Sequence, residues 1–211
     1  MKLNFISLGL LAVVIVMVWM EIFQAKPVRL DQFSEQVRLG GGTIQDMAVN
    51  PKGDTIAVAN TIGIWVYSLE NLEAYHFIES RVGVSTIAWS PDGHYLVSGD
   101  YGKAIRIWDI ATGNQTLEIT DLTRKVSAIS WSPDGENIAT TSFDNILRIW
   151  DAANGQQLIL SEFSDQHAFN KLFWSADSRQ IAAASFEGKM LVWDVATGKQ
   201  TLELNIDGKL N

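Results

Sequence analysis

Catalytic chemistry in this chain would have to rest on histidines, carboxylates or hydroxyls, because its 211 residues include no cysteine. That absence also removes disulfide frames and thiolate zinc sites. The three histidines, His76, His94 and His167, lie far apart at no metal-ligand spacing, and no G-x-S-x-G elbow or glycine-rich phosphate loop accompanies them. The carboxylates fall into regular places instead. Asp92 and Asp134 sit inside Ser-Pro-Asp-Gly runs, and Asp109, Asp151 and Asp194 each follow a tryptophan directly. Proline presets φ, aspartate tolerates the second corner and glycine takes positive φ, so these aspartates belong to turns. The histidines read as surface residues and the aspartates as structural. The expectation is a chain with no catalytic residue, no metal and no cofactor.

A second set of residues suits binding rather than catalysis. Tyr101, Phe143 and Phe186 each stand seven residues before a tryptophan, Trp108, Trp150 or Trp193. Aromatics in a contiguous exposed row are common energetic anchors of interfaces. The rival reading is local packing of each ring on a neighbouring element. The partner of such a row would be protein rather than nucleic acid. Net charge is −8, from 16 basic and 24 acidic residues, with no Lys/Arg cluster to draw a phosphate backbone.

The elements that must position these residues follow from a repeat. "AWSPDGHYLVSGDYGKAIRIWDIATG" (88–113) is written again as "AISWSPDGENIATTSFDNILRIWDAANG" (128–155) and as "FWSADSRQIAAASFEGKMLVWDVATG" (173–198). A weaker copy, "AVNPKGDTIAVANTIGIWVYSLEN" (48–71), precedes them. Trp89, Trp131 and Trp174 recur at intervals of 42 and 43 residues, as do Trp108, Trp150 and Trp193. Such a period is the mark of a stacked repeat architecture. Within each copy, four short alternating runs are separated by turn residues such as Pro133-Asp134-Gly135 and Asn154-Gly155. Each copy therefore reads as a four-stranded antiparallel meander with two apolar faces. Such a sheet needs a neighbour on either side.

"WSPDG", "IRIWD" and "TG" at this spacing resemble WD40 repeats, the blades of a β-propeller, over residues 43 to 204. The resemblance implies an all-β propeller domain, 43–211, with repeats at about 43–78, 84–119, 126–163 and 168–204. The opening stretch is similar to first blades of bacterial members. It departs from the pattern in its turn, Asn50-Pro51-Lys52-Gly53, and in Tyr67-Ser68 where Trp-Asp is expected. Family blades often join a histidine, a turn aspartate, a serine and the tryptophan. Only Asp144 fills the aspartate place, with Thr61, Gly102 and Glu187 in the others, and no copy has the histidine. Packing and strand ladders are then expected to hold the blades. Family propellers close with about seven or more blades, so the four repeats predict an open arc with an uncovered apolar face at each end, and self-association through those end blades. The chain would then be the N-terminal part of a longer propeller. In the resembling fold, the turns carrying Tyr101, Phe143 and Phe186 open on one rim, and the resemblance implies a protein-binding scaffold.

Ahead of the repeats, residues 3–25 carry a single charge, Glu21, and are long enough as a helix to cross a hydrocarbon core. Residues 26–42 read as a linker. An uncleaved membrane anchor is preferred over a removed secretory signal. The sole small-x-small candidate, Phe23-Gln24-Ala25, begins with a residue too large for cleavage. The expectation is a single-pass cell-membrane protein with its repeats outside the cytoplasm, or a secreted one.

Overall fold

A computed structural model describes residues 42–162, 169–185 and 188–205. The proposed anchor and nearly all of the linker lie outside the described residues, as do His167 and Phe186. Among the described residues there is no helix, and so none long and apolar enough to cross a membrane.

Among the described residues, sixteen strands form four antiparallel sheets, each a simple meander in chain order. Blade 1 comprises β1 (Ile44–Val49), β2 (Thr55–Asn60), β3 (Gly63–Ser68) and β4 (Ala74–Glu79). Blade 2 comprises β5 (Val84–Trp89), β6 (Tyr95–Asp100), β7 (Ile105–Asp109) and β8 (Gln115–Ile119). Blade 3 holds β9 (Val126–Trp131), β10 (Asn137–Ser142), β11 (Ile146–Asp151) and β12 (Gln157–Glu162). Blade 4 holds β13 (Phe169–Trp174), β14 (Gln180–Ser185), β15 (Lys189–Asp194) and β16 (Gln200–Asn205). The first strands are innermost, β1 packing on β5, β5 on β9 and β9 on β13.

The core lies between sheets, because side chains alternate across each strand and both faces are apolar. Blade 1 presents Ala57, Ile64, Val66 and Ile78 to Ile87, Trp89 and Leu96 of blade 2. Val97, Ile105 and Ile107 of blade 2 meet Val126, Ile138 and Trp150 of blade 3. Ala139, Leu147 and Ile149 of blade 3 meet Phe169, Ile181 and Trp193 of blade 4. Cross-strand register makes the rule explicit. The row Ala139–Ile149–Ile159 faces forward, and the row Trp131–Ile138–Trp150 faces back.

By the same register, no described residue of a following sheet covers the forward face of blade 4. Phe173, Ala182, Val192 and Leu202 are directly paired across its four strands, and Leu204 lies beside them. Phe173 is 58% exposed, Leu202 44% and Leu204 41%. Blade 1 differs from the expected symmetry. Its backward face carries Trp65 stacked on Tyr67 and tilted against Phe77, with ring centroids 6.3 and 4.3 Å apart. Val58 and Tyr67 are buried there while Phe77 is 40% exposed, so among the described residues the backward face of blade 1 is partly covered and the forward face of blade 4 is the barer of the two.

The turns hold themselves. Ser90 Oγ donates to Asp92 Oδ1 at 2.5 Å, Asp92 accepts the His94 N–H at 2.9 Å, and Ser90 Oγ accepts the Tyr95 N–H at 2.9 Å. Ser132–Asp134 and Ser175–Asp177 repeat the pattern. In the third of these turns Ser178, at φ 59°, stands where the others have Gly93 and Gly135.

Polar stitching between blades is richer than packing and ladders alone. Asp46 Oδ2 in β1 accepts from Thr86 Oγ1 and from the Ile87 N–H, both at 2.9 Å. Trp89 Nε1 donates to the Ala48 carbonyl at 2.9 Å. The histidine missing from the repeat has a substitute in blade 3. Thr123 Oγ1 donates to Asp144 at 2.6 Å, Ser142 Oγ also donates to it, and Arg148 Nη2 pairs with it at 2.8 Å. Blade 2 builds a related pair from a different position. Asp100, at the end of β6, is buried, pairs with Arg106 and accepts the Ala104 N–H at 2.8 Å. The strand-end residues Asn60, Asp100 and Ser142 thus all hold the following turn, Asn60 through the N–H groups of Ile62 and Gly63.

Candidate functional site

The turns between second and third strands, with the connections between blades, form one rim. In blades 2 and 3 each such turn places an aromatic first and a left-handed residue third: Tyr101 and Lys103 (φ 71°), Phe143 and Asn145 (φ 60°). Asp100 and Asp144 anchor these turns from below by accepting N–H groups of Ala104 and Ile146. A buried carboxylate under each turn leaves the aromatic free to point outward. Tyr101 is 40% exposed and Phe143 47%.

The two rings are not independent. Lys125, leading into β9, sets its Nζ 3.9 Å from the centre of the Tyr101 ring and 5.5 Å from that of Phe143. Both distances are within the range of cation–π attraction. The Tyr101 hydroxyl lies 2.5 Å from Gln45 Oε1 on blade 1. So Gln45, Tyr101, Lys125 and Phe143 run along the rim from blade 1 to blade 3. The two readings of these aromatics merge: each ring makes a contact beyond its own turn while keeping much of its surface in water. Phe186 holds the same sequence place in blade 4, outside the described residues. Ile44, Ile62 and Val82 add exposed apolar surface on the same rim, at 43%, 41% and 46%. Sequence reasoning missed these three and Lys125, although the Lys lies in the connection just before a strand whose start was predicted.

The carboxylates that could have carried chemistry are engaged in the opposite rim. Burial raises the carboxyl of Asp92, but hydrogen bonds from Ser90 and His94 outweigh it and hold it below its ordinary range. Asp134 is held low in the same way, against burial, by Ser132 and the Glu136 N–H. Asp109, Asp151 and Asp194 cap the later turns by accepting the N–H groups of Thr112, Ala153 and Thr197 at 3.0, 2.8 and 2.9 Å. A recess of about 480 Å³ lies between blades 2 and 3, walled by Pro91, Tyr95, Trp131 and Gly135. Its carboxylates, Asp92 and Asp134, are those already bound into their turns. Among the described residues, no three histidines or acids converge as a metal site.

Comparison with known proteins bears on the repeat. The family described as "WD domain, G-beta repeat" matches residues 73–109 and 114–151. Each match runs from the fourth strand of one blade through the third strand of the next. Mitogen-activated protein kinase-binding protein 1 of Mus musculus is 30% identical over 88 residues, covering 40% of this chain and 6% of that protein. Small ribosomal subunit protein RACK1 of Drosophila melanogaster is 31% identical over 98 residues, covering 39% of this chain and 31% of that one. The chain thus spans under a third of either relative. The crystal structure of RRP9 WD40 repeats superposes with a TM-score of 0.70 at 24% identity, over 78% of this chain and 52% of that chain, a likeness of fold.

Proposed function

We propose that this chain, which carries WD40 repeats, is a non-catalytic protein-interaction scaffold that binds through the rim of Tyr101, Phe143 and Phe186 and is held at the cell membrane by its N-terminal segment, with the repeats outside the cytoplasm. The observation that carries the reading is the pair of half-exposed rings at equivalent turns, supported from below by buried carboxylates. A relative whose name describes kinase binding fits the same class of function. Surface rings of this kind are dispensable for folding, so changing all three to serine should cost no more than ~0.5 kcal/mol per site. The partner captured by the wild-type chain should be lost in that variant, while its melting transition stays in place. A transition lowered by more than ~10 °C would assign the rings to the core instead, since ~1 kcal/mol moves a domain of this size by about 2–4 °C. Membrane tethering predicts that the chain resists alkaline carbonate extraction. A soluble product beginning near Lys26 would identify a cleaved signal.

The bare forward face of blade 4 favours a second reading, in which these repeats form part of a longer propeller and have no function alone. More WSPDG units in the downstream reading frame would establish that reading. Without them, the same face is proposed to associate with a second copy of the chain.

A further inference from the structure

Repeated blades should seal against one another alike, and the junction of blades 2 and 3 departs from the other two. Trp89 of blade 2 donates its Nε1 to the Ala48 carbonyl of blade 1 at 2.9 Å, and Trp174 of blade 4 donates to the Ser130 carbonyl of blade 3 at 3.3 Å. The equivalent acceptor for Trp131 is the Ala88 carbonyl of blade 2. Its Nε1 instead donates to the Gly135 carbonyl of its own turn, at 3.0 Å. The first turns of neighbouring blades are also joined at two junctions, by Asn50 Nδ2 to the Gly93 carbonyl and by the Asp134 N–H to Ser178 Oγ, both at 3.1 Å. Among the described residues, no hydrogen bond joins turn 90–95 to turn 132–137. The recess of about 480 Å³ opens at this unsealed junction.

The recess has apolar walls, in Pro91, Tyr95, Leu117 and Trp131, and a one-sided hydrogen-bonding inventory. Its donors are engaged within the fold. The Ser90 hydroxyl donates to Asp92, the Thr116 hydroxyl to the Ile107 carbonyl and the Trp131 indole to Gly135. The N–H groups of Asp134, Gly135, Ala152 and Ala153 donate to Ser178, Ser132, Glu136 and Asp151. Of the lining side chains, only Tyr95 keeps a hydroxyl proton to offer among the described residues. Acceptors remain, because a carboxylate has about four lone-pair sites. The turns fill two of these at Asp92 and two at Asp134, with the Ser178 hydroxyl as a further neighbour of Asp134. No lysine, arginine or histidine lines the recess; Lys52 and His94, whose charges Asp92 feels, lie outside its walls.

We infer that this recess is a second binding site, separate from the aromatic rim, and that it takes an arginine side chain of a partner protein. A guanidinium carries five donors and no acceptor, which matches a wall whose donors are engaged and whose acceptors are left. Its flat faces suit the rings of Trp131 and Tyr95, and its methylene stem suits Pro91 and Leu117. An anion would face Asp92 and Asp134 with almost no donor to hold it. A purely apolar plug would strip water from the two carboxylates and put nothing in its place. The inference stands whether or not the aromatic rim binds.

The test uses the full chain in neutral detergent and a short dye-labelled peptide repeating alanine, arginine, glycine, read by fluorescence anisotropy. Matching peptides carry lysine or citrulline, the neutral isostere, in place of arginine. The arginine peptide should bind best, and salt should weaken its binding. Ala153→Leu fills the recess and leaves every charge in place, so it should weaken binding about tenfold with the melting temperature unchanged. Asp92→Asn keeps the acceptor for Ser90 and for the His94 N–H, and it should also weaken binding about tenfold. Asp177→Asn, the same change in the equivalent turn of blade 4, should leave binding as it is. A chain of net charge −8 attracts any basic peptide. Undiminished binding by Ala153→Leu, or equal losses in the two aspartate variants, would therefore overturn the inference. So would a lysine or citrulline peptide that binds as well as the arginine one. Should Ala153→Leu lower the melting temperature, the two aspartate variants decide alone. Tyr101→Ser with Phe143→Ser should leave binding intact, and its loss there would move the site to the aromatic rim and overturn the proposal.

Discussion

The Asp144–Arg148 pair is the most sharply testable feature of the fold, and Asp144→Asn is the perturbation that isolates it. Arg148 is 4% exposed, and Asp144 is the carboxylate that pairs with it, Nη2 to Oδ2 at 2.8 Å. Asparagine keeps an acceptor for the Ile146 N–H and for Ser142 but removes the charge that offsets a buried guanidinium. Breaking a buried pair on one side costs about 3–5 kcal/mol, because the remaining ion is left uncompensated. For a domain of this size, that lowers the melting temperature by about 6–20 °C. Adding Arg148→Met removes the stranded ion, fills a similar volume and should restore at least ~2 kcal/mol. The pH dependence carries the same signature. Burial pushes the Asp144 carboxyl up, but hydrogen bonds from Arg148, Ser142 and Thr123, with the charge of Arg148, outweigh it and hold it below its ordinary value. A carboxyl lowered on folding contributes stability in full above its unfolded pKa of about 3.9, and the contribution is lost as pH falls through the folded value. Wild type should therefore lose stability more steeply than Asp144→Asn below about pH 4. Urea unfolding and circular-dichroism melts of the full chain in detergent measure both effects. A single variant within ~0.5 kcal/mol of wild type, or a double variant as weak as the single, would show that the pair is not coupled and refute the reasoning.

Three further predictions concern packing. Trp150→Ala should cost ~3–5 kcal/mol, since the ring is 1% exposed and its Nε1 donates to Thr140 at 2.9 Å. Trp65→Phe should be neutral or stabilising by comparison, because the Trp65 Nε1 is buried with no hydrogen-bond partner among the described residues; equal losses in thermal melts would void this contrast. Gly63→Ala should destabilise by at least ~2 kcal/mol, because a Cβ there would lie 2.2 Å from the Ile78 carbonyl oxygen; a variant melting with wild type would contradict that close approach. Phe173→Glu should leave the melting transition unchanged while reducing concentration-dependent light scattering, since the ring is 58% exposed on the bare face of blade 4. Scattering that persists would place any association elsewhere.

How much of this protein could be read from sequence depends on the distance over which each feature is built. The strands and their turns were legible because their determinants are local. Ser90, Asp92, His94 and Tyr95 close a turn within six consecutive residues, and the same chemistry recurs at Ser132 and Ser175. The tryptophan spacing likewise disclosed the repeat, because each ring returns to the same point of an identical sheet. The aromatic positions were legible too, but not their state. Tyr101 becomes a rim residue only when Gln45 and Lys125, 56 and 24 residues away in sequence, are brought beside it. The missing histidine shows the limit most clearly. Its absence suggested blades held without a polar network, yet Thr123 reaches Asp144 across 21 residues, and Asp100 serves blade 2 from another position. Nothing in a one-dimensional pattern distinguishes a threonine that will meet a carboxylate from one that will face water. Local hydrogen bonds and alternation determined where this chain bends and which faces are apolar. The partners, exposure and charge of its rim were decided by which segments the stacked sheets bring together.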